Sequence, residues 1–195
     1  MKLNYQLLML QLQFDPFPQL ETDRLVLRNL SLSDAPELFY LRSNKEVMRY
    51  IDREPQKTVE ETEIFINLLL DTQQKNEAVL WVIALKENPA VMIGNIGYWR
   101  MAKEHYRAEI GYMLHHDFWQ KGIMKEVIKP VIEYGFTSMM LHSIEANINP
   151  ANAASQVLLE HTGFVREGYF KENYFFNGVF SDSAVYSLLS NTNKK

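Results

Sequence analysis

The chain has 195 residues, 47% of them hydrophobic and 23% charged, which fits one globular domain and excludes both an intrinsically disordered chain and two full domains. Twenty basic and 24 acidic side chains give a net charge of −4, so there is no global positive field to attract nucleic acid, and we expect no such partner. The sequence contains no cysteine, which excludes disulfides, thiolate metal ligands and cysteine nucleophiles and is typical of a cytoplasmic protein.

The N-terminal 20 residues are apolar in places, but asparagine and glutamine interrupt them and no small-residue cleavage site follows. We therefore expect no signal peptide. No later stretch approaches the roughly 18 uninterrupted apolar residues of a membrane helix, so we expect no membrane partner. Residues 15–18, Asp-Pro-Phe-Pro, predict an extended segment that aromatic side chains anchor. We divide the chain into an N-terminal extension (1–19), one domain (20–190) and a C-terminal tail (191–195).

Hydrophobic periodicity and turn residues predict the order β-α-α-β-β-β-α-β-α-β-β. Thr58 and Glu61 have the spacing of a capping box, and Asn177-Gly178 is typical of a hairpin turn. This order favours a single α/β domain with one mixed sheet. The predicted strands are 24–28, 78–85, 91–99, 107–114, 143–148, 164–175 and 181–188, and the predicted helices are 36–44, 59–74, 123–137 and 149–161.

The junction between strand 107–114 and helix 123–137 is the most informative segment. A strand that runs through a glycine-containing turn into a helix directs unpaired N–H groups and the positive end of the helix dipole at one point, which suits a phosphate. Gly122 would allow close approach, and Lys121, Lys125 and Lys129 share one helical face. The alternative is an ordinary turn glycine beside solvated lysines. Taken alone, the spacing favours that alternative, because the segment has neither a Walker nor a Rossmann glycine pattern.

Several segments together resemble the GNAT superfamily, and more narrowly its RimJ/RimL-like branch of ribosomal-protein N-terminal acetyltransferases. The resemblance spans about residues 20 to 188, and the order of the motifs makes it specific. The segments are Leu20 to Arg28, Ala108 to Tyr112, Trp119 to Glu126, and Asn152 to Ser155 followed by Gly163-Phe164.

This resemblance implies the GNAT fold, a central mixed β-sheet flanked by helices and splayed between strands 107–114 and 143–148, with acetyl-CoA in the gap. Backbone groups of Met113 and Leu114 would contact the pantetheine arm. The loop that begins at Trp119 would hold the pyrophosphate, and Asn152 would orient the pantetheine or the helix start. The implied cofactor-binding residues are Met113, Leu114, Trp119, Gln120, Lys121, Gly122, Ile123, Met124 and Asn152.

Two positions depart from patterns of the superfamily. Its pyrophosphate motif ends in glycine or alanine, whereas this chain has the larger Met124. At the first position of the same motif this chain has Trp119, which is usual in the RimJ/RimL-like branch. Many members use a tyrosine acid four residues before the Gly-Phe pair, where this chain has Leu159. Tyrosine chemistry at that position is therefore excluded, which leaves Ser155 or solvent as the acid.

Acetyl transfer to an amine needs a neutral nucleophile and stabilisation of the departing thiolate. Glu109 is our candidate base, because partial burial beside Tyr112 would help it to draw a proton; the alternative is a carboxylate paired with Arg107 or Arg100. The resemblance makes Ser155 the candidate acid. Serine and asparagine at a helix start are also ordinary capping residues, and Asn149 competes with Asn152 for the cap.

We expect no metal site, since the five histidines have neither the His-x-x-x-His nor the His-Glu-x-x-His spacing. The first functional hypothesis is an acyl-CoA-dependent N-acetyltransferase that moves the acetyl group directly, in a ternary complex, to a primary amine. The acceptor would be a peptide or protein N-terminus or a small amine, and the protein a monomer or homodimer. The second hypothesis is a catalytically silent CoA-binding or sensor domain.

Overall fold

The computed structural model describes residues 10–190. The predicted tail, 191–195, and the first nine residues of the predicted extension lie outside this range. The predicted order of elements is confirmed, with a short first strand and a one-turn second helix in addition. The strands are β1 Leu20–Glu21, β2 Leu25–Arg28, β3 Val79–Leu85, β4 Gly94–Ala102, β5 Arg107–Leu114, β6 Ser143–Ile148, β7 Val165–Phe176 and β8 Val179–Leu189; the helices are α1 Ala35–Ser43, α2 Lys45–Met48, α3 Val59–Gln74, α4 Ile123–Thr137 and α5 Ala153–His161.

One eight-stranded sheet carries the fold, in the order β1-β2-β3-β4-β5-β6-β8-β7. Only β5 and β6 run parallel, and they pair over three positions alone, Arg107 with Ser143, Ala108 with Ile144 and Glu109 with Glu145. Beyond Glu109 each strand keeps its antiparallel partner on the other side, β4 or β8, but the two no longer pair with one another. The sheet therefore forks, and the predicted splay between these strands is confirmed.

Helices cover both faces of the sheet. On one face, α4 and α5 bury residues such as Val127 and Leu159 against the sheet in a cluster centred on Trp81, Ile96 and Tyr98. On the other face, α1 and α3 bury Leu38, Leu41 and Ile66 with Val82 and Met92. Each cluster removes apolar surface from water at about 25 cal/mol per Å². The fork thus lies between two separately packed helical layers.

The described part of the N-terminal segment packs on the main core. Leu10 and Phe14 are buried, Trp81 donates its indole N–H to the carbonyl of Pro18 (2.6 Å), and Phe17 meets the Trp81 ring edge-on. The expected anchoring by aromatic side chains is confirmed. None of the helices within residues 10–190 is long and apolar enough to cross a membrane.

The start of α4 is tied to the β1–β2 turn by Glu126. Its carboxylate accepts hydrogen bonds from the Thr22 hydroxyl (2.5 Å), the Arg24 backbone N–H (3.0 Å) and the Arg24 Nε (2.7 Å). Arg24 also donates to the carbonyl of Lys121 at 3.2 Å. Burial alone would raise the pKa of Glu126, but the hydrogen bonds and the Arg24 charge outweigh it, so the pKa is lowered. The carboxylate therefore holds the loop before α4 in place.

We predict that Glu126→Gln lowers the free energy of unfolding by about 1 kcal/mol near pH 7, a value kept small because the Arg24 side chain is half exposed. A carboxyl with a lowered folded-state pKa contributes its stability above its ordinary pKa and loses it as the pH falls. The difference from the parent protein should therefore shrink in urea unfolding curves recorded below about pH 4. Glu133→Gln, on the exposed side of the same helix, is the control and should change stability by less than about 0.5 kcal/mol at every pH. A difference that persists at low pH would contradict the assignment.

Candidate functional site

A cavity of about 610 Å³ lies beside the fork, against the end of β5, and its volume is typical of cofactor pockets. On the α1–α3 side it is lined by α2 and the residues after it, and on the other side by the first turn of α4 and by α5 from its start to its end. Strand β5 lines it between the two. The lining from α2 and its loop is Glu46, Val47, Arg49, Tyr50 and Ile51; that from β5 is Tyr112, Met113 and Leu114.

The end of β5 presents unpaired backbone groups to the fork. His115 donates its N–H to Ile93 of β4 at 2.8 Å, and Met113 stands opposite Asn95 in the same ladder. Because backbone groups alternate sides along an antiparallel pair, those of Met113 are directed at β4, whereas those of Tyr112 and Leu114 are directed into the gap. Met113 therefore contributes lining, and the backbone groups available at the fork are the N–H and carbonyl of Tyr112 and the N–H of Leu114, because the carbonyl of Leu114 already accepts the indole N–H of Trp119.

The loop before α4 is shaped by two contacts. Trp119 donates its indole N–H to the carbonyl of Leu114 (2.9 Å), which folds the loop back on the strand end. Gly122, the residue before α4, has a φ of +75°, in the left-handed region that glycine adopts without strain. Gly122 has no side chain to cap this helix start, so the N–H groups of the first turn are left for another partner.

The predicted pyrophosphate residues surround this helix start. Trp119, Gln120, Gly122, Ile123 and Met124 line the cavity, and so does Lys125. Lys121 does not line it; its ammonium lies 5.3 Å from the centre of the Phe118 ring. The basic stripe predicted at Lys121, Lys125 and Lys129 is exposed, and of the three only Lys125 reaches the cavity.

The start of α5 brings Asn152 and Ser155 to the opposite wall. Asn152 is the cap, since its side-chain oxygen accepts the N–H of Ser155 at 3.1 Å. Asn149 instead accepts the N–H of Ala151 within the preceding turn, which decides the competition between the two asparagines. Ser155 is buried with 9% of its surface exposed, and both residues line the cavity. Leu159, at the position of the excluded tyrosine acid, is fully buried in the core.

Glu109 lies outside the cavity lining. It stands at the last paired position of β5 and β6, where its carboxylate accepts a hydrogen bond from Arg100 at 2.9 Å. The Arg100–Glu109 pair was the alternative open in the sequence, and Glu109 raises the pKa of Arg100. A backbone irregularity between Trp99 and Ala102, with a positive φ at Arg100, brings the two side chains together. A base role for Glu109 stays a prediction.

Besides Tyr112, four polar or titratable residues of the cavity were not predicted as site residues from the sequence. Glu46, Arg49 and Tyr50 come from α2 and its loop, and His161 from the end of α5. The one-turn helix α2 is too short to carry a periodic pattern, although Asn44 caps it by accepting the N–H groups of Glu46 and Val47. That cap was the one signal in the sequence for a helix here.

A cluster of ring side chains connects α1 to the loop after β5. Tyr40 stacks on His115 with ring centres 4.1 Å apart and hydrogen-bonds to His116. His115, His116 and Asp117 offer ligand atoms within 4.8 Å of one another. The Nδ1 of His115 already accepts the backbone N–H of Asp117 (3.2 Å), and His116 contacts Asp117 at 3.0 Å. These contacts give the cluster a structural role, holding α1 beside the cavity.

Comparison with known proteins agrees with this geometry. The acetyltransferase (GNAT) domain matches residues 24–165, and the chain belongs to this family. It is 37% identical over 173 residues to YoaA, an uncharacterised N-acetyltransferase of Bacillus subtilis, a match that covers 89% of this chain and 97% of that protein.

Two solved structures extend the comparison. Spermidine N-acetyltransferase of Vibrio cholerae, in complex with CoA and spermine, has a TM-score of 0.75 and 27% identity, covering 85% of this chain and 95% of that one. The ribosomal α-N-protein acetyltransferase RimL, in complex with coenzyme A, shares the fold with a TM-score of 0.80 at 22% identity, over 88% and 98% of the chains. The resemblance to the GNAT superfamily is confirmed, and the chain is an acyl-CoA-dependent N-acetyltransferase.

The residues of the cavity fit a coenzyme A thioester. The uncapped start of α4 at Gly122 supplies N–H donors and a helix dipole for a diphosphate. The outward-facing backbone of β5 suits an amide-bearing arm, which could add to the strand edge as a further strand would. The hydroxyl of Tyr112 is buried and has no hydrogen-bond partner within residues 10–190. An unpaired buried group of this kind is costly unless a ligand pairs with it.

Proposed function

We propose that the protein transfers the acetyl group of acetyl-CoA directly to a primary amine, with both substrates bound at once in the cavity beside the fork. The observation that carries this proposal is that a single cavity is lined both by α2, which packs with the α1–α3 layer, and by α4 and α5 of the other layer. A cofactor on the α4–α5 side and an acceptor on the α2 side would meet at the fork. Such proximity is the main requirement of direct transfer.

Each wall has a distinct part in this proposal. The N–H groups at Gly122 bind the diphosphate, and the backbone of Tyr112 and Leu114 orients the pantetheine arm. Bound there, acetyl-CoA supplies an activated acyl group with a thiolate leaving group. Ser155, fixed by the Asn152 cap, places its hydroxyl at the wall of the cavity, where it serves the departing sulfur.

The charges of the α2 side favour an acceptor with a single positive charge. Glu46 is the one carboxylate in the described lining, and Arg49 lies three residues beyond it. A polycation such as spermidine would require several carboxylates. An N-terminal α-amine has an ordinary pKa of about 8, against about 10.4 for lysine, so more of it is neutral near pH 7 and a weak base or solvent suffices. We therefore propose a peptide N-terminus or a small monoamine as the acceptor.

A panel of acceptors tests the proposal. The purified protein and acetyl-CoA are mixed with one acceptor per reaction. The acceptors are a peptide with a free N-terminus, the same peptide with a blocked N-terminus and an internal lysine, several small monoamines, and spermidine. We expect thiol release with the free N-terminus or a monoamine, and at least about tenfold less with the blocked peptide, following the difference in neutral amine. Thermal stabilisation by acetyl-CoA without thiol release on any acceptor would support the silent sensor domain instead.

A further inference from the structure

Tyr112 lines the cavity where the two strands diverge, and its hydroxyl is buried. Its side chain lines the cavity together with Ser155, although neither the strand pattern nor the family resemblance assigned it a role. Within residues 10–190, its hydroxyl and the Nε of Arg42 are the buried side-chain polar atoms without a hydrogen-bond partner. Arg42 stacks its guanidinium over the Phe65 ring at 4.1 Å and does not line the cavity. Of the two residues, Tyr112 is therefore the one that belongs to the cavity lining.

Other buried tyrosines of the chain show that a partner is normally provided. Tyr98, which is fully buried, donates its hydroxyl to the carbonyl of Val131 at 2.9 Å. Tyr186 reaches the carboxylate of Glu160 at 3.4 Å. A tyrosine kept for packing alone could be a phenylalanine, which would avoid the desolvation cost of an unpaired hydroxyl. The hydroxyl of Tyr112 thus indicates a partner that comes from outside the chain.

We propose that the Tyr112 hydroxyl is a neutral hydrogen-bond donor to the thioester sulfur of the bound cofactor, acting beside Ser155. This inference rests on the proposed function, since it assigns a role within the same cavity. The diphosphate site at Gly122 fixes one end of the cofactor, and the reactive end must lie at the fork, where the acceptor side begins. Tyr112 and Ser155 are the hydroxyl groups of β5 and α5 that line this part of the cavity.

The chemistry of the step balances without a proton from Tyr112. The amine nitrogen forms a bond to the acetyl carbon and loses a proton to solvent, and the carbon–sulfur bond breaks with its electron pair going to sulfur. The phenol keeps its proton and donates a hydrogen bond to the developing thiolate. Preorganised donors of this kind stabilise a charge that grows in the transition state. Tyr112 would thus be a catalytic residue that does not change its protonation state.

Burial agrees with this assignment. It raises the pKa of Tyr112 to about 12, and hydrogen bonding from the Ser155 side chain, which leaves the phenol proton free, lowers the pKa by a smaller amount. The phenol therefore stays protonated throughout the physiological range, as a hydrogen-bond donor must. Removing the hydroxyl should therefore lower kcat by the same factor at every pH below about 9. The pKa values read from the pH–rate profile in that range should not change.

The test compares Tyr112→Phe with Tyr98→Phe, two buried tyrosines of opposite expected behaviour. We expect Tyr112→Phe to lower kcat about 10- to 100-fold, as for the loss of a hydrogen bond to a charged group, with an unchanged or higher Tm because an unpaired buried hydroxyl is gone. Tyr98→Phe should lower the Tm, since its hydroxyl has a partner in the chain, and keep kcat within about twofold.

Calorimetry supplies a readout that does not depend on turnover. The parent protein should bind CoA more tightly than desulfo-CoA, the analogue without sulfur, and Tyr112→Phe should reduce that preference by at least about fivefold. Tyr98→Phe should retain it. Parent-level kcat together with an unchanged preference in Tyr112→Phe would overturn the inference and leave the proposed function standing. If the parent turns over no acceptor, the proposed function fails while the binding comparison still decides the contact of Tyr112.

Discussion

Gly122→Asp is expected to lower the affinity for acetyl-CoA about 100-fold, whereas Gly122→Asn should lower it less than about tenfold. Asparagine and aspartate have nearly the same shape, and both tolerate the left-handed conformation better than other non-glycine residues. Within 4 Å, a Cβ at this position would meet only the Arg24 guanidinium, at 3.7 Å, so the Cβ of either variant has room and the strain of the positive φ is shared by both. The two variants therefore differ in one respect, a negative charge placed where the proposal puts a diphosphate.

Isothermal titration with acetyl-CoA measures both affinities, and the ratio between the two variants is the informative quantity. Arg24 neutralises part of the new charge, which is why the ratio and not the absolute loss is compared. The ratio should shrink as ionic strength rises, because salt screens repulsion between partly exposed charges. Thermal melts check that both variants are folded. Equal affinities of the two variants at low salt would show that the diphosphate does not bind at the start of α4.

The elements next to the fork could be predicted from the sequence alone. The bounds predicted for β5, α4 and β6 agree with the structure, because each element carries a complete local pattern. In α4, buried Val127, Ile128 and Val131 repeat at helical spacing, and Gly122 marks the helix start. The splay of the sheet came from the resemblance, since strand patterns do not determine which strands diverge.

The site was predicted less completely than the fold, because its walls come from different parts of the chain. The Trp119 to Met124 loop and the α5 start lie at element ends, where turn and cap residues can be recognised. The α2 wall is one turn long and carries no periodicity. The pairing of Glu109 with Arg100 depends on a backbone irregularity in the neighbouring strand β4. The unpaired state of the Tyr112 hydroxyl depends on all of the residues that surround it in the folded chain. Neither property can be read from the residues next to Glu109 or Tyr112 in the sequence.

Gly97→Ala is expected to lower the free energy of unfolding by about 3 kcal/mol or more, the largest stability loss that we predict for a single methyl group. Gly97 lies in β4, in the middle of the sheet, opposite Leu80 of β3 and Gly111 of β5. A Cβ there would lie 2.4 Å from the backbone carbonyl of Val79 and 3.0 Å from the Cα of Leu80. Backbone atoms of a central strand cannot move aside as the end of a side chain can, so β3 and β4 would have to separate.

Gly178→Ala is the matched control, because a Cβ there meets nothing within 4 Å and the change tests only the positive φ of +78°. It should cost about 1 kcal/mol, or about 2–4 °C in Tm for a chain of this length. Gly97→Ala should lose at least about 6 °C in the same melts. It should also weaken acetyl-CoA binding, because β4 holds β5 in the position from which the backbone of Tyr112 and Leu114 faces the fork. Equal losses in the two variants would mean that β3 and β4 accommodate the methyl group, and that the register of this part of the sheet is less tightly fixed than the contacts of Gly97 indicate.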